Sequence, residues 1–437
     1  MRVLIISIAG EGAWFSWLLS HNGHDVDFIV KHDEYSSALK GIIHTPEHPS
    51  DPASYDLCLF DLTGEGKLAD EIRVQTPTIG DSVFADKLEH DRVFGLDYMH
   101  QCGIDVPPYT EFSNPADALR MIRKTGKRYV YKACGKNVSC ATSYVSKNAA
   151  DMEGYLETLF KQTPSHEFIL QEFVQGTEVS TEMWVNQTGY YAINHTLEEK
   201  KLLAGGLGPN VGCAGAVTWM PEKETQLFSE GLGKAAERLA DDGYVGQIDL
   251  NAIVTDGKVW GLEWTPRVGY EGTCNLACLM DIEFGEFLHA IAANERPPEV
   301  SSRHGFAATI RLYIPPYPVE GSRKMMKEGV PLDGIKLSML PHFFLYDARI
   351  KENTEEQLET AGLSGWIGCP IGTAETIPGA FQFCKDVIAG LRIPDLGWRN
   401  DVAGSVAKRY RELEQDGWLK INWQAGEGNK ALAAGKR

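Results

Sequence analysis

The apolar positions divide the chain by their period. Residues 3–8 (VLIISI) are a largely apolar run of strand length, 9–12 hold a glycine-containing turn, 13–19 are apolar at helical spacing, and 25–30 read as a second strand. Strand, helix and strand in that order predict a βαβ unit and hence a parallel sheet. With further strands at 55–62 and 77–79, residues 1–84 are expected to form a small doubly wound domain. Helical patterning follows at 86–101 and 115–125, with strands expected at 128–133, at 168–174 and onward through 194. Residues 247–254 and 259–267, joined by Asp256-Gly257-Lys258, predict a hairpin. Arg296-Pro297-Pro298 interrupts the pattern, after which 306–313, 343–346 and 365–369 are expected strands of a separate subdomain. The reading is α/β and multidomain, divided into 1–84, 85–300, an α+β subdomain over 301–423, and a loose tail at 424–437 that lacks periodicity.

Several polar positions stand out against this pattern. Lys132 lies among apolar neighbours in Tyr129-Val130-Tyr131-Lys132, and an ammonium buried there needs a partner, which a polyanionic ligand would supply. The bland alternative is a lysine on a half-exposed strand face. Residues 135–142, with Lys136, are small enough to fold over phosphates. The strand Gln171-Glu172-Phe173-Val174 offers extended main chain that can read an adenine edge, and Glu178 beyond the next turn can accept ribose hydroxyls. Residues 205–215 hold five glycines, so their amides can approach a ligand closely, although a plain mobile loop fits as well. In the hairpin, alternation places Asp249 and Asn251 on one face of their strand and Glu263 and Thr265 on one face of theirs. Two carboxylates converging across a ladder repel unless a cation sits between them, and Mg²⁺ prefers such oxygen ligands; a solvated acidic strand pair is the alternative. Arg267, just beyond Pro266, is expected to face the same cluster. The turn at 9–12 would sit at the carboxyl end of the first strand, where an anion can bind, but Glu11 opposes a phosphate there.

Composition narrows the partners. The 437 residues carry 42 Lys plus Arg against 60 Asp plus Glu, a net charge of −18, which argues against broad nucleic-acid binding. Nine cysteines without a paired framework favour reduced thiols, and Cys274 and Cys278, four apart, read as buried thiols on a helix. No run reaches membrane-spanning length, so a cytoplasmic protein acting on small molecules, as a monomer or homodimer, is expected.

Taken in order, these elements resemble the ATP-grasp ligases and, within them, phosphoribosylamine–glycine ligase. The resemblance rests on Val130-Tyr131-Lys132-Ala133-Cys134-Gly135, the run from Gln171 to Ser180, Gly208-Pro209-Asn210-Val211-Gly212, Leu262-Glu263-Trp264-Thr265-Pro266-Arg267, and a late Trp398-Arg399-Asn400-Asp401-Val402. It implies a multidomain ATP-grasp architecture using ATP and Mg²⁺, with Mn²⁺ as an alternative ion. It implies that Lys132 and Lys136 contact phosphates, that Gln171, Glu172, Phe173 and Val174 line the adenine, and that Glu178 holds the ribose. Glu263 would bind the metal, with Asp249 as second carboxylate and Thr265 or Asn251 standing where the family has asparagine. A basic residue before the turn at Gly103 maps to Arg92, with Lys87 as the other register. Lys200, Asn210 and Arg267 match residues the family places around the reacting groups.

The implied activity is ADP-forming amide synthesis through an acyl phosphate, joining an amino acid such as glycine to an amine. The family's Gly-Gly-Arg-Glu-His turn is replaced here by Ala9-Gly10-Glu11-Gly12-Ala13, which implies an altered acceptor. A true phosphoribosylamine–glycine ligase and a non-catalytic ATP-binding sensor or scaffold are the competing readings.

Overall fold

The computed structural model describes residues 1–437 except 48, 135–142, 164–165, 256, 320–324 and 422–437. Strands β1 (Arg2–Ser7), β2 (Asp25–Val30), β3 (Leu57–Phe60) and β4 (Thr78–Ile79) form a parallel sheet in the order β2-β1-β3-β4. Val3 and Ile5 pack into the main core while Leu4 and Ile6 pack into a second cluster on the other face. A strand covered on both faces has no polar side to show, which is why 3–8 reads as one apolar run.

A second, antiparallel sheet is built from β5 (Tyr109–Phe112), β6 (Tyr129–Ala133), β7 (Ser143–Val145) and β8 (Phe168–Glu172), in the order β5-β8-β6-β7. Tyr129, Tyr131 and Ala133 of β6, with Phe168 and Leu170 of β8, pack against the helices Pro115–Thr125 and Ala149–Gln162. The two-residue period then turns Val130 and Lys132 to the opposite face.

That face meets a ten-stranded sheet. Its strands β9 (Thr177–Asn186), β10 (Gly189–Glu198), β13 (Gly215–Trp219), β14 (Gly246–Thr255), β15 (Lys258–Thr265) and β16 (Phe306–Ile310) run in the order β15-β14-β9-β10-β13-β16, and Trp366–Ala374 follows. The separate hairpin of β11 (Lys201–Leu203) and β12 (Leu207–Asn210) stands beside it. Because β16 pairs with β13, the chain after residue 300 extends this sheet, and residues 328–361 add a separate three-stranded antiparallel sheet.

Three local expectations are revised. The single helix expected at 86–101 is two, Val83–His90 and Arg92–Gln101, because Asp91 leaves helical geometry and accepts a hydrogen bond from the Phe94 amide as N-cap. The strand expected at 168–174 ends at Glu172. The glycine-rich segment is the β11–β12 hairpin, turned through Gly205 and Gly206 at φ 72° and 69°. The phosphate-covering segment with Lys136 and the tail at 424–437 lie outside the described residues. The eight cysteines described are free thiols, with Cys274 buried and Cys278 partly so. Among the described residues no helix is long and apolar enough to cross a membrane.

Candidate active site

A cleft of about 2600 Å³ runs between the β5–β8 sheet and the ten-stranded sheet and reaches the N-terminal domain. Its floor is set by strand register. Across β14 and β15, Asp249 stands opposite Thr265 and Asn251 opposite Glu263; across β14 and β9, Asp249 stands opposite Glu182 and Asn251 opposite Ser180. Opposed residues share a face, so one surface carries Glu178, Ser180, Glu182, Asp249, Asn251, Glu263 and Thr265.

The ladder between β14 and β15 is interrupted. Its register steps from Asn251 opposite Glu263 to Ala252 opposite Gly261, which leaves Leu262 as the extra residue of a bulge. The Leu262 carbonyl accepts a hydrogen bond from Lys132 Nζ at 3.1 Å. A defect in one sheet therefore seats the ammonium delivered by the other. Lys132 is buried, and burial, reinforced by the nearby Arg92 charge, lowers its pKa to about 8 against the opposing pull of Glu263 and Glu178.

Arg92 begins the second of the two helices created at Asp91. Its Nη1 lies 3.8 Å from Glu263 Oε2, and its Nε donates to the Ala133 carbonyl at 3.4 Å. Lys87, the other register, lies 4.0 Å over the Phe94 ring. Glu263 opens into the cleft with 48% of its side chain exposed. Its surroundings would raise its pKa by desolvation, yet Lys132, Lys200, Arg92 and Arg267 together hold it below the usual carboxylate range. Lys200 Nζ lies 3.1 Å from Glu198 and 3.6 Å from Glu178.

The remaining expected residues divide. Arg267 lines the cleft with the hairpin carboxylates and acts on Glu263 through its charge, while its own ion pair is with Glu89: its Nε donates to Glu89 Oε1 at 3.1 Å, and Glu89 also accepts from Thr63 Oγ1 at 2.6 Å. The Glu172 carboxylate meets Lys127 at 2.6 Å, and its amide donates to the Pro108 carbonyl. The Gln171 side chain is buried and donates to the Pro107 carbonyl at 3.3 Å. Phe173 lies under the Arg128 guanidinium at 3.4 Å, and Val174 lines the cleft. Asn210 is exposed on β12 opposite Lys201 and also lines the cleft.

Sequence reasoning missed Glu182 and Glu198, although counting on by two from Glu178 reaches the first. Glu182 is buried, accepts hydrogen bonds from Asn194 and Gln247, and is pushed up to about 7 by burial. Asp249 is pushed well above the usual range by burial and by the Glu182 and Glu198 charges, although Ser180 donates to its Oδ2 at 3.0 Å. Its buried Oδ1 has no partner among the described residues. An acidic floor whose members resist ionising, with an orphaned carboxylate oxygen, suits a divalent cation. No cluster of three metal-ligating His, Cys, Asp or Glu side chains is present among the described residues. Mg²⁺ takes one or two carboxylates and completes its shell with phosphate oxygens and water.

Residues 90–267 match the family model of the phosphoribosylglycinamide synthetase ATP-grasp (A) domain. The chain has the fold of phosphoribosylamine–glycine ligase from Thermotoga maritima, with a TM-score of 0.72 at 20% identity over 92% of this chain and 100% of that one. Residues 90–267 are an ATP-grasp domain. Phosphoribosylamine–glycine ligase of Streptococcus pneumoniae is 23% identical over 334 residues, covering 74% of this chain and 77% of the relative. The biotin carboxylase domain of Hydrogenobacter thermophilus 2-oxoglutarate carboxylase, solved with MgADP and bicarbonate, superposes with a TM-score of 0.62 at 12% identity over 98% of both chains. ATP-grasp ligases use ATP and Mg²⁺, and Lys132, Arg92 and the acidic floor of this domain fit that pair.

Proposed function

We propose that this ligase joins a carboxylate, glycine first, to an amine acceptor in the cytoplasm with cleavage of ATP to ADP, and that residues 85–300 carry the nucleotide clamp. When bound, ATP supplies the phosphoryl group that converts the carboxylate to an acyl phosphate, and Mg²⁺ neutralises charge on the phosphate oxygens. Lys132 and Arg92 receive those oxygens from the β6 side, while Glu263 and Asp249, with Thr265 or Asn251, hold the metal from the floor. Lys200 and Arg267 flank the cluster and steady the negative groups brought together there. Residues 171–174 border the adenine, and Glu178 accepts the ribose hydroxyls. Asn210, at the cleft edge, orients the reacting carboxylate. None of these roles requires a side-chain nucleophile; the protein contributes charge placement and proximity.

The observation that carries the reading is the Lys132 ammonium seated on the Leu262 bulge with Glu263 beside it. ADP release in a panel of amino acids and amines is the test. Turnover that needs both a carboxylate and an amine supports the ligase, whereas nucleotide binding without ADP across the panel would leave a sensor. Glu178→Gln is expected to raise the KM for ATP about tenfold, the loss of one charge-assisted hydrogen bond. It should leave the affinity for inorganic tripolyphosphate, which lacks ribose, unchanged; an equal loss for both would remove Glu178 from the ribose site.

A further inference from the structure

The carboxyl end of the N-terminal parallel sheet is where ligands of such sheets sit, and there the chain departs most from an anion-binding turn. Asp61, just after β3, is fully buried. Its Oδ2 accepts from Ser7 Oγ at 2.7 Å, and Ser7 Oγ in turn accepts from the Gly10 amide at 2.8 Å. Gly12 packs so closely that an added Cβ would lie 2.4 Å from the same oxygen. The turn is held from the other side by Tyr346, whose hydroxyl donates to the Ala9 carbonyl at 2.9 Å. Three buried polar atoms in this neighbourhood have no partner among the described residues: Asp61 Oδ1, Glu11 Oε2 and Tyr270 Oη. They belong to one electrostatic group. Glu11 raises Asp61, and Asp61 and Glu11 both raise Tyr270. The neighbouring cations Arg267 and Arg311 are already engaged by Glu89 and Glu271. Tyr270 lines the large cleft together with Tyr35, Gly64 and Glu89, so this end of the sheet adjoins the cleft.

Buried polar atoms without partners are costly, and two carboxylate oxygens with a phenol form an acceptor-rich set. An ammonium brings donors and a compensating charge, whereas a phosphate would meet two carboxylates. We infer that Glu11, Asp61 and Tyr270, behind the cleft wall that Tyr270 lines, receive the positively charged end of a phosphate-free amine, making the acceptor a cationic amine and not a phosphorylated sugar amine. This rests on the proposed ligase reading and specifies its acceptor. The nucleophilic nitrogen is a second amine on the same molecule. It attacks the acyl carbonyl carbon, the bond from that carbon to the phosphate oxygen breaks, phosphate leaves, and the nitrogen releases a proton to solvent.

Calorimetry on the full-length protein, with and without a non-hydrolysable Mg·ATP analogue, tests it using L-lysine and putrescine against ribose 5-phosphate and O-phosphoethanolamine. The two cationic amines are expected to bind at least tenfold more tightly than either phosphorylated probe. Glu11→Gln and Asp61→Asn should each weaken the amines at least tenfold while the affinity for the ATP analogue moves less than twofold. Glu11→Gln keeps the test open if loss of the Ser7 contact impairs folding of Asp61→Asn. Tighter binding of a phosphorylated probe, no binding of either amine, or equal amine affinity in the variants would overturn the assignment. Failure of the ATP analogue to bind would count against the ligase reading instead, and the arms without nucleotide would still decide the acceptor site.

Discussion

Lys132→Met is expected to make the nucleotide-free protein more stable at pH 7 and to remove ADP release. Burial lowers the lysine to about 8, so the folded state carries a charged group it disfavours. Below pH 8 the lysine is protonated both folded and unfolded, and the cost is present in full. Between about 8 and the ordinary lysine range the unfolded chain binds more protons than the folded one, so wild-type stability climbs with pH and the cost fades. Methionine keeps the volume without the charge, and its gain is at most about 3 kcal/mol at pH 7, less the hydrogen bond lost by the Leu262 carbonyl. Urea unfolding at pH 7 and pH 10 reads this directly: the advantage of the variant should shrink at the higher pH. The same substitution removes a preorganised charge from the phosphate site and should lower ADP release by roughly 10² to 10³. A variant that is less stable at pH 7 and still turns over would reject the role given to Lys132.

Glu263→Gln is expected to have a comparable effect on rate through the opposite charge. Glu263 is the carboxylate that Lys132, Lys200, Arg92 and Arg267 hold ionised. The amide keeps shape and removes the negative charge, so ADP release should fall by roughly 10² to 10³ and the Mg²⁺ concentration for half-maximal rate should rise. A second readout separates this from simple misfolding. Glu263 raises the Lys132 pKa, so in the variant the pH at which nucleotide affinity begins to fall should move below 8. An unaltered Mg²⁺ requirement together with an unaltered pH profile would take Glu263 out of the metal site.

Where a single element determines a feature, the sequence displayed it. The period of two in 247–254 and 259–265 placed Asp249 with Asn251, and Glu263 with Thr265, on one face of each strand, but their pairing depends on the Leu262 bulge: the register set by the turn pairs Ala252 with Gly261, and only the extra residue brings Glu263 opposite Asn251. The apolar run at 3–8 likewise announced a strand covered on both faces. What stayed hidden required two elements at once. The partner of Arg267 is Glu89, 178 residues away in sequence, and nothing local to either marks the other. The acidity of the floor was underestimated because Glu182 and Glu198 come from β9 and β10, whose order beside β14 is a property of the whole sheet. The break at Asp91 was legible in principle, since Asp is a favoured N-cap and Glu89-His90-Asp91-Arg92 interrupts the apolar positions, but apolar residues at helical spacing resume at Val93.

The bulge at Leu262 makes main-chain atoms, and not the leucine side chain, the recognition element, so residue 262 should tolerate many side chains. Deleting the residue is another matter. A strand one residue shorter would pair with β14 without interruption, gaining a more regular ladder while turning the carbonyl back into the sheet. The tidier protein would be the inert one.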